Sequence, residues 1–170
     1  MPHDPSKPGA GPSGRPPVAG NAALRAVLTG IGIDICGSTL LNIVLTSLYV
    51  AQVGTPGMTS AQIEDVVRAM PPQSPLSVLG ILLGALVSVA AGYVCARIAR
   101  RNESFAGALM AGGVALVCAS LTDFSRGSTD LAMLFLASGV ACNLLGVKYG
   151  AAHNRRLDAS AEPPADASAP

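Results

Sequence analysis

Four long stretches with almost no charged side chains constrain this chain more than any other feature. The clearest of them, Leu76 to Ala96, has 21 residues, and its clearly polar side chains are Ser77, Ser88 and Tyr93. The hydrocarbon core of a bilayer is about 30 Å thick, and roughly 20 helical residues cross it. The sequence therefore predicts an all-α polytopic membrane protein with four transmembrane helices.

The predicted spans cover about residues 26–52, 76–97, 105–122 and 131–148. A helix of a soluble bundle has an apolar stripe and a polar back, and the second span has no polar back. With 50% hydrophobic and 12% charged residues, a chain of 170 residues cannot cover four such helices in water. A cleaved signal peptide has a run of roughly 7–15 apolar residues. The first span is far longer and contains Asp34 and Asn42, so we interpret it as an uncleaved anchor.

Basic residues indicate the orientation. Nine of the eleven Lys and Arg residues lie in the N-terminal segment, the second loop or the C-terminal end, and the second loop holds the cluster Arg97, Arg100 and Arg101. The first and third loops carry acidic residues instead. Because cytoplasmic loops are enriched in Lys and Arg, we expect a multi-pass protein of a bacterial cytoplasmic membrane with both termini in the cytoplasm.

The composition also predicts the domain organisation. Residues 1–22 are rich in Pro and Gly, and residues 152–170 are rich in Ala, Pro and Asp. Neither segment can bury enough apolar surface to offset the entropy lost on ordering. We therefore expect two disordered cytoplasmic tails around a transmembrane domain of residues 23–151.

The first loop contains a predicted short amphipathic helix. Thr59 and Gln62 have the spacing of a capping box, and apolar residues then recur at helical intervals until two prolines end the segment. We expect this helix at about residues 60–70, on the extracytoplasmic surface. It could act as a lid or partner surface, or simply connect two spans.

Small residues recur at four-residue intervals along three spans. In lipid, helices associate through close backbone approach at such residues. These stripes predict a tight bundle and leave open whether one of them also mediates self-association. The predicted packing seams comprise Gly80, Gly84, Ser88, Gly92, Gly107, Ala111, Ser138 and Gly146.

Asp34 is the one charged residue in the interior of a predicted span, since Arg97 and Lys148 lie at span ends. A charge inside the membrane is costly and suggests a functional site. Ser38, Asn42 and Thr46 follow it at four-residue steps, and Asn143 lies at a comparable depth on the fourth span. This stripe could line a path for protons, cations or a small solute. It could equally form hydrogen bonds between helices, with Asp34 protonated or reaching Arg97 or Lys148.

Other chemistry has little support in the sequence. The four cysteines lie one per span without a C-x-x-C pair, and both histidines lie outside the spans. Buried thiols usually behave as small hydrophobic groups, although a soft-metal site of Cys36, Cys95 and Cys142 is conceivable. Phosphate-loop and hydrolase motifs are absent from the sequence. We therefore expect no enzyme activity, no cofactor or metal, and no nucleic-acid partner.

One segment resembles a known pattern. The stretch GYVCARIARRNESFAGALMAG, residues 92–112, is similar to a helical hairpin of uncharacterised small four-span bacterial membrane proteins. The resemblance implies a cytoplasmic arginine turn between the second and third spans and no particular activity. The sequence favours a non-enzymatic protein that acts in the lipid bilayer by self-association or as an accessory subunit of a membrane complex. The alternative is a small transporter or ion-conducting protein that uses Asp34.

Overall fold

The described chain consists of five helices and the short connections between them. The computed structural model describes residues 19–55, 57–71, 73–100, 102–121 and 129–161. The helices are α1 (Ala19–Val53), α2 (Ser60–Arg68), α3 (Pro75–Ala99), α4 (Glu103–Leu121) and α5 (Thr129–Ala161). These described residues contain no strand. Helices α1, α3, α4 and α5 are long and apolar enough to cross a membrane.

Local sequence signals set several helix ends. Thr59 caps α2 by accepting from the Gln62 backbone N–H, while the Gln62 side chain accepts from the Thr59 N–H, so the predicted capping box is present. The Ser74 side chain caps α3, and Pro75 occupies its first turn, where a missing N–H costs no hydrogen bond. Arg100 ends α3 with a φ of 48°.

Two helices extend further than the sequence predicted. The prediction began the first span near residue 26 and ended the fourth near 148, but α1 begins at Ala19 and α5 continues to Ala161. Residues 19–22 and 152–161 are thus helical, whereas they were assigned to disordered tails. Hydropathy detects the part of a helix that crosses the membrane, whereas alanine favours helix in any solvent. The other tail residues, 1–18 and 162–170, lie outside the described residues.

The chain passes back and forth between two ends of the bundle. We call the end that carries Arg25, Arg97, Arg100 and Lys148 the basic end, and the opposite end, which carries α2, the α2 end. Helix α3 packs against α1, α4 and α5. Helices α3 and α5 run in the same direction and make the most extensive contact.

Small residues form the interior, and large apolar residues form the surface. Most of the buried apolar side chains are alanines, and the largest fully buried side chain is Met110. By contrast, Leu116 is 72% exposed and Leu134 is 65% exposed. A water-soluble protein buries its large apolar side chains, whereas a membrane protein presents them to lipid and packs through small ones. The chain is therefore a polytopic all-α membrane protein in contact with the bilayer.

The packing is uneven along the bundle. The buried residues among those described are concentrated toward the basic end of the bundle. In α1 the last buried residue, counted from that end, is Asp34; in α4 it is Val114. In α3 and α5, which run the other way, burial begins at Ser88 and Asn143. The bundle is thus closely packed at the basic end and loosely packed at the α2 end.

Candidate functional site

A buried polar centre joins three of the membrane-spanning helices. It consists of Asp34 on α1, Ser88 on α3 and Asn143 on α5, which are 4%, 8% and 0% exposed. The Ser88 hydroxyl donates to Asp34 Oδ1 at 2.8 Å, and Asn143 Nδ2 donates to Asp34 Oδ2 at 3.4 Å. The structure thus brings together Asp34 and Asn143, which the sequence placed on one intramembrane stripe.

The polar centre lies at the boundary between the packed and the open halves of the bundle. Each of its three residues is the buried residue of its helix farthest from the basic end. Asp34 lies nine residues from Arg25, and Ser88 lies nine residues from Arg97, which at 1.5 Å per residue is about 13 Å along each helix. A carboxyl group at this depth lies well inside a hydrocarbon core about 30 Å thick.

The Asp34 carboxyl group has no basic partner among the described residues. Their one ion pair joins Arg68 to Glu64 on the surface of α2. Arg97, one of the partners considered from the sequence, donates to Asn154 Oδ1 at 3.2 Å, and Lys148 is exposed. The Asp34 charge, when present, must therefore be balanced by something other than a lysine or arginine side chain in the described part of the chain.

Asn143 contributes an unused acceptor to the polar centre. Its side chain is fully buried, and its Oδ1 atom has no hydrogen-bond partner within the described structure. An unsatisfied buried acceptor costs about 1–3 kcal/mol. Such an atom beside a carboxyl group points to a ligand or to an alternative hydrogen-bond arrangement.

Several clefts lie in the open half of the bundle, and two of them are lined by residues of the α1 polar stripe. The α1/α3 cleft has a volume of about 370 Å³, and Ser38, Asn42 and Thr46 line its α1 wall. Val67 and Met70, from α2 and the residues that follow it, also line this cleft. The second cleft, which we call the central cleft, has a volume of about 290 Å³ and lies between α1, α3 and α5. Ser38 lines both clefts, and Ser88 lines the central one.

The polar stripe of α1 therefore has two environments. Asp34 is buried in the polar centre, whereas Ser38 and Asn42 are exposed along the clefts. Thr46 donates to Asn42 Oδ1 at 3.2 Å, so these two side chains are paired within α1. Ser38, Asn42 and Thr46 thus form a polar wall of the α1/α3 cleft, whereas Asp34, one turn further along α1, is buried in the polar centre.

The predicted packing seams also divide at the polar centre. A Cβ atom added at Gly92 would overlap the Asn143 carbonyl oxygen, and one added at Gly146 would overlap the Val89 carbonyl oxygen. At Gly107 the added atom would lie 2.5 Å from a Val147 methyl carbon. Ala111 is also buried, at 2% exposure. Gly92 and Gly146 thus lie where α3 and α5 approach closely, and Gly107 lies where α4 approaches α5.

The seam residues nearer the α2 end are less tightly packed. At Gly80 an added Cβ would lie 3.1 Å from a Leu45 methyl carbon, and at Gly84 it would have no neighbour within 4 Å. Ser138 is exposed, and its hydroxyl donates to the Phe135 carbonyl of its own helix. Ser88, predicted only as a seam residue, instead supplies a hydrogen bond to Asp34.

A second polar cluster, which the sequence did not indicate, closes the basic end. Asn154 is 5% exposed and donates to the Ala96 carbonyl at 3.0 Å and to Glu103 Oε1 at 2.7 Å. With the bond from Arg97, it ties the end of α3 and the start of α4 to α5. The sequence did not indicate this role, because Asn154 lies in a segment predicted to be a disordered tail. Of the basic cluster, Arg100 is exposed and Arg101 lies outside the described residues.

The cysteines are dispersed. Cys36 is exposed, Cys95 is buried and Cys142 is partly buried. Across the described ranges, no group of three or more His, Cys, Asp or Glu side chains is placed to hold a metal ion.

No protein-family model, curated protein or solved structure matches the chain. Its function must therefore be inferred from the geometry of the polar centre and the clefts.

Proposed function

We propose that the protein is a non-enzymatic transporter or ion-conducting protein that moves protons or monovalent cations through the polar centre. One observation carries the proposal: a buried carboxyl group at the edge of the closely packed half is hydrogen-bonded to Ser88, whose side chain lines the central cleft. A carboxyl group is expensive to keep in the membrane, and one that bonds to a cleft-lining hydroxyl fits an ion path better than a packing contact.

The charge distribution supports an orientation for this path. We propose that the basic end faces the cytoplasm of a bacterial cell, because Lys and Arg are enriched on the cytoplasmic side of membrane proteins. In this orientation the clefts lie toward the extracytoplasmic side. The closely packed half, with the Asn154 cluster, then closes the path on the cytoplasmic side. Movement of an ion to the cytoplasm would require that closure to open, as alternating-access transporters do around a fixed site.

Flux measurements in proteoliposomes test this function. With a membrane potential imposed, wild-type protein should produce a proton or sodium flux, read by a dye inside the vesicles, and Asp34→Asn should abolish it. The matched control is Asp158→Asn, the same change at an exposed site on α5, which should retain the flux. Circular dichroism should show equal helix content in both variants. If the wild-type protein gives no flux, or Asp34→Asn leaves it unchanged, the proposal is wrong.

Self-association, or a place in a larger membrane complex, is the second candidate. The close contacts of Gly92 and Gly146 are made within one chain, so these seam residues are not available to a second copy. Gly84 and Gly139 remain open, since a Cβ atom added at either has no neighbour within 4 Å, and both line the central cleft. A small-residue surface of this kind admits another helix closely.

Crosslinking in native membranes tests this second candidate. Cys36 is exposed on α1, so oxidation should give a crosslinked dimer if copies associate near this helix, and Cys36→Ser should remove it. A larger-residue variant, Gly84→Leu, should weaken association if the central cleft is the contact surface. A wild-type chain that stays monomeric at native expression levels would count against association.

A further inference from the structure

The polar centre has the composition of a site for a small monovalent cation. Its side chains offer a carboxylate, an amide oxygen and a hydroxyl oxygen from three different helices. Oxygen donors of these types suit hard cations rather than soft metals. We propose that Asp34, Ser88 and Asn143 bind one sodium ion, which reaches them through the central cleft. This inference deepens the proposed function by naming the ion.

Charge balance is the first argument. An ionised carboxylate isolated in a medium of low dielectric constant is strongly unfavourable and requires a compensating charge. The described residues supply no such charge to Asp34, because Arg97 bonds to Asn154 and the one ion pair is on α2. A single carboxylate balances a single positive charge. The partner is thus a monovalent cation or a proton, whereas a divalent ion would leave a net charge buried.

The unused oxygen of Asn143 is the second argument. Its Nδ2 now points toward Asp34, while Oδ1 accepts no hydrogen bond. Rotation of the amide by half a turn exchanges the two atoms and directs Oδ1 toward the carboxylate. A cation between them would then be coordinated by both side chains and by the Ser88 oxygen, which already lies 2.8 Å from Asp34 Oδ1. Cation binding would thus give Oδ1 a partner, in exchange for the 3.4 Å hydrogen bond that Nδ2 now donates to Asp34.

The surroundings provide an entry route and no competing charge. Ser88 lines the central cleft, whose other lining residues are small, apolar or uncharged. Cys142 on α5 lines the central cleft, and Cys118 on α4 lies within the electrostatic influence of Asp34. Thiols in apolar surroundings behave as uncharged, small hydrophobic groups. Asp34 is therefore the charged group to which an entering cation responds.

Sodium-dependent stability of the purified full chain tests the site. In detergent at neutral pH, NaCl should raise the midpoint of thermal unfolding relative to choline chloride of equal ionic strength, and the rise should grow with the logarithm of the sodium concentration. KCl should protect less, because the larger ion fits a site formed by three short side chains less well. Asp34→Asn should remove the sodium dependence.

Matched variants separate the site from general packing. Ser88→Ala and Asn143→Ala should each weaken the apparent sodium affinity by about tenfold, as expected when one ligand worth about 1.4 kcal/mol is lost. The control is Ser138→Ala, which removes a cleft-lining hydroxyl outside the centre and should leave the sodium dependence unchanged. Binding of radioactive sodium to the wild-type protein gives a second measurement if the Asp34 variant does not fold.

The outcomes distinguish failure of the site from failure of the function. If sodium gives no protection and binds at no pH, while acid stabilises the wild type alone, the compensating charge is a proton and the sodium proposal is overturned. The proposed function then stands, provided that the Asp34-dependent proton flux is present. If sodium protects through these three residues but no flux is measured, the site is supported and the transport proposal fails.

Discussion

The crossing of α3 and α5 gives the sharpest test of the fold. In Gly146→Ala, the new methyl group would overlap the Val89 carbonyl oxygen and lie 2.9 Å from both the Val89 carbonyl carbon and the Tyr93 nitrogen. Ordinary contacts begin at about 3.4 Å. Because all three atoms belong to the α3 backbone, no side chain can rotate away. At the two 2.9 Å contacts the added carbon is half an ångström closer than an ordinary contact, so the two helices must move apart by at least that distance.

The expected loss follows from two opposing terms. Alanine in place of a helical glycine favours the helix by about 0.5–1 kcal/mol, whereas overpacking costs about 1–3 kcal/mol. With backbone on the opposing side the overpacking term should be near its upper value, so we expect a net loss of about 2 kcal/mol. For a chain of this size that corresponds to a decrease of about 4–8 °C in the midpoint of thermal unfolding.

Thermal unfolding in detergent, followed by circular dichroism, measures this change. The matched control is Gly139→Ala, the same substitution two turns away on α5, where the added Cβ has no neighbour within 4 Å. This variant should be unchanged, or more stable by up to about 1 kcal/mol through the helix term alone. If the two variants have equal midpoints, α3 and α5 do not cross at Gly146 as the structure shows, and the reasoning is refuted.

Three further changes test other parts of the structure. Thr59→Ala should reduce the stability of α2 by about 1 kcal/mol, because it deletes the N-cap. Amide hydrogen exchange should become faster in residues 60–68 and stay the same in α3. Unchanged exchange in residues 60–68 would mean that other contacts hold α2. Asn154→Leu should lower the unfolding midpoint, because it removes the hydrogen bonds that join Asn154 to Arg97, Glu103 and the Ala96 carbonyl, each worth about 1 kcal/mol. An unchanged midpoint would show that the cluster does not tie the helices together. Arg100→Gly should raise the midpoint of thermal unfolding, because glycine adopts a positive φ such as the 48° of Arg100 without the strain of about 1 kcal/mol that a side chain causes. A lower midpoint would show that the arginine side chain stabilises this turn.

The sequence identified those features that depend on local, additive properties. Each of the four spans could be predicted because the hydropathy of a segment is the sum of its own residues. The capping box of Thr59 and Gln62 could be predicted because its two partners are three residues apart. Asp34 could be singled out because a charge among apolar residues is conspicuous in the sequence alone. Helices α1 and α5 continue beyond the predicted spans, because apolar composition marks only part of a helix whereas its backbone hydrogen bonding continues further.

The partners of these residues depend on the tertiary structure. Ser88 and Ser138 are the same residue type on similar small-residue stripes, yet Ser88 donates to Asp34 and Ser138 donates to its own helix. Gly84 and Gly92 likewise differ only in whether a neighbouring helix is close. The rotation and crossing point of each helix decide these contacts, and both are set by the combined packing of all its neighbours. For this reason the sequence alone determined a four-span membrane protein with one acidic residue inside a span. Only the folded bundle determined that Asp34 is hydrogen-bonded to Ser88 and Asn143, at the boundary between the central cleft and the closely packed half.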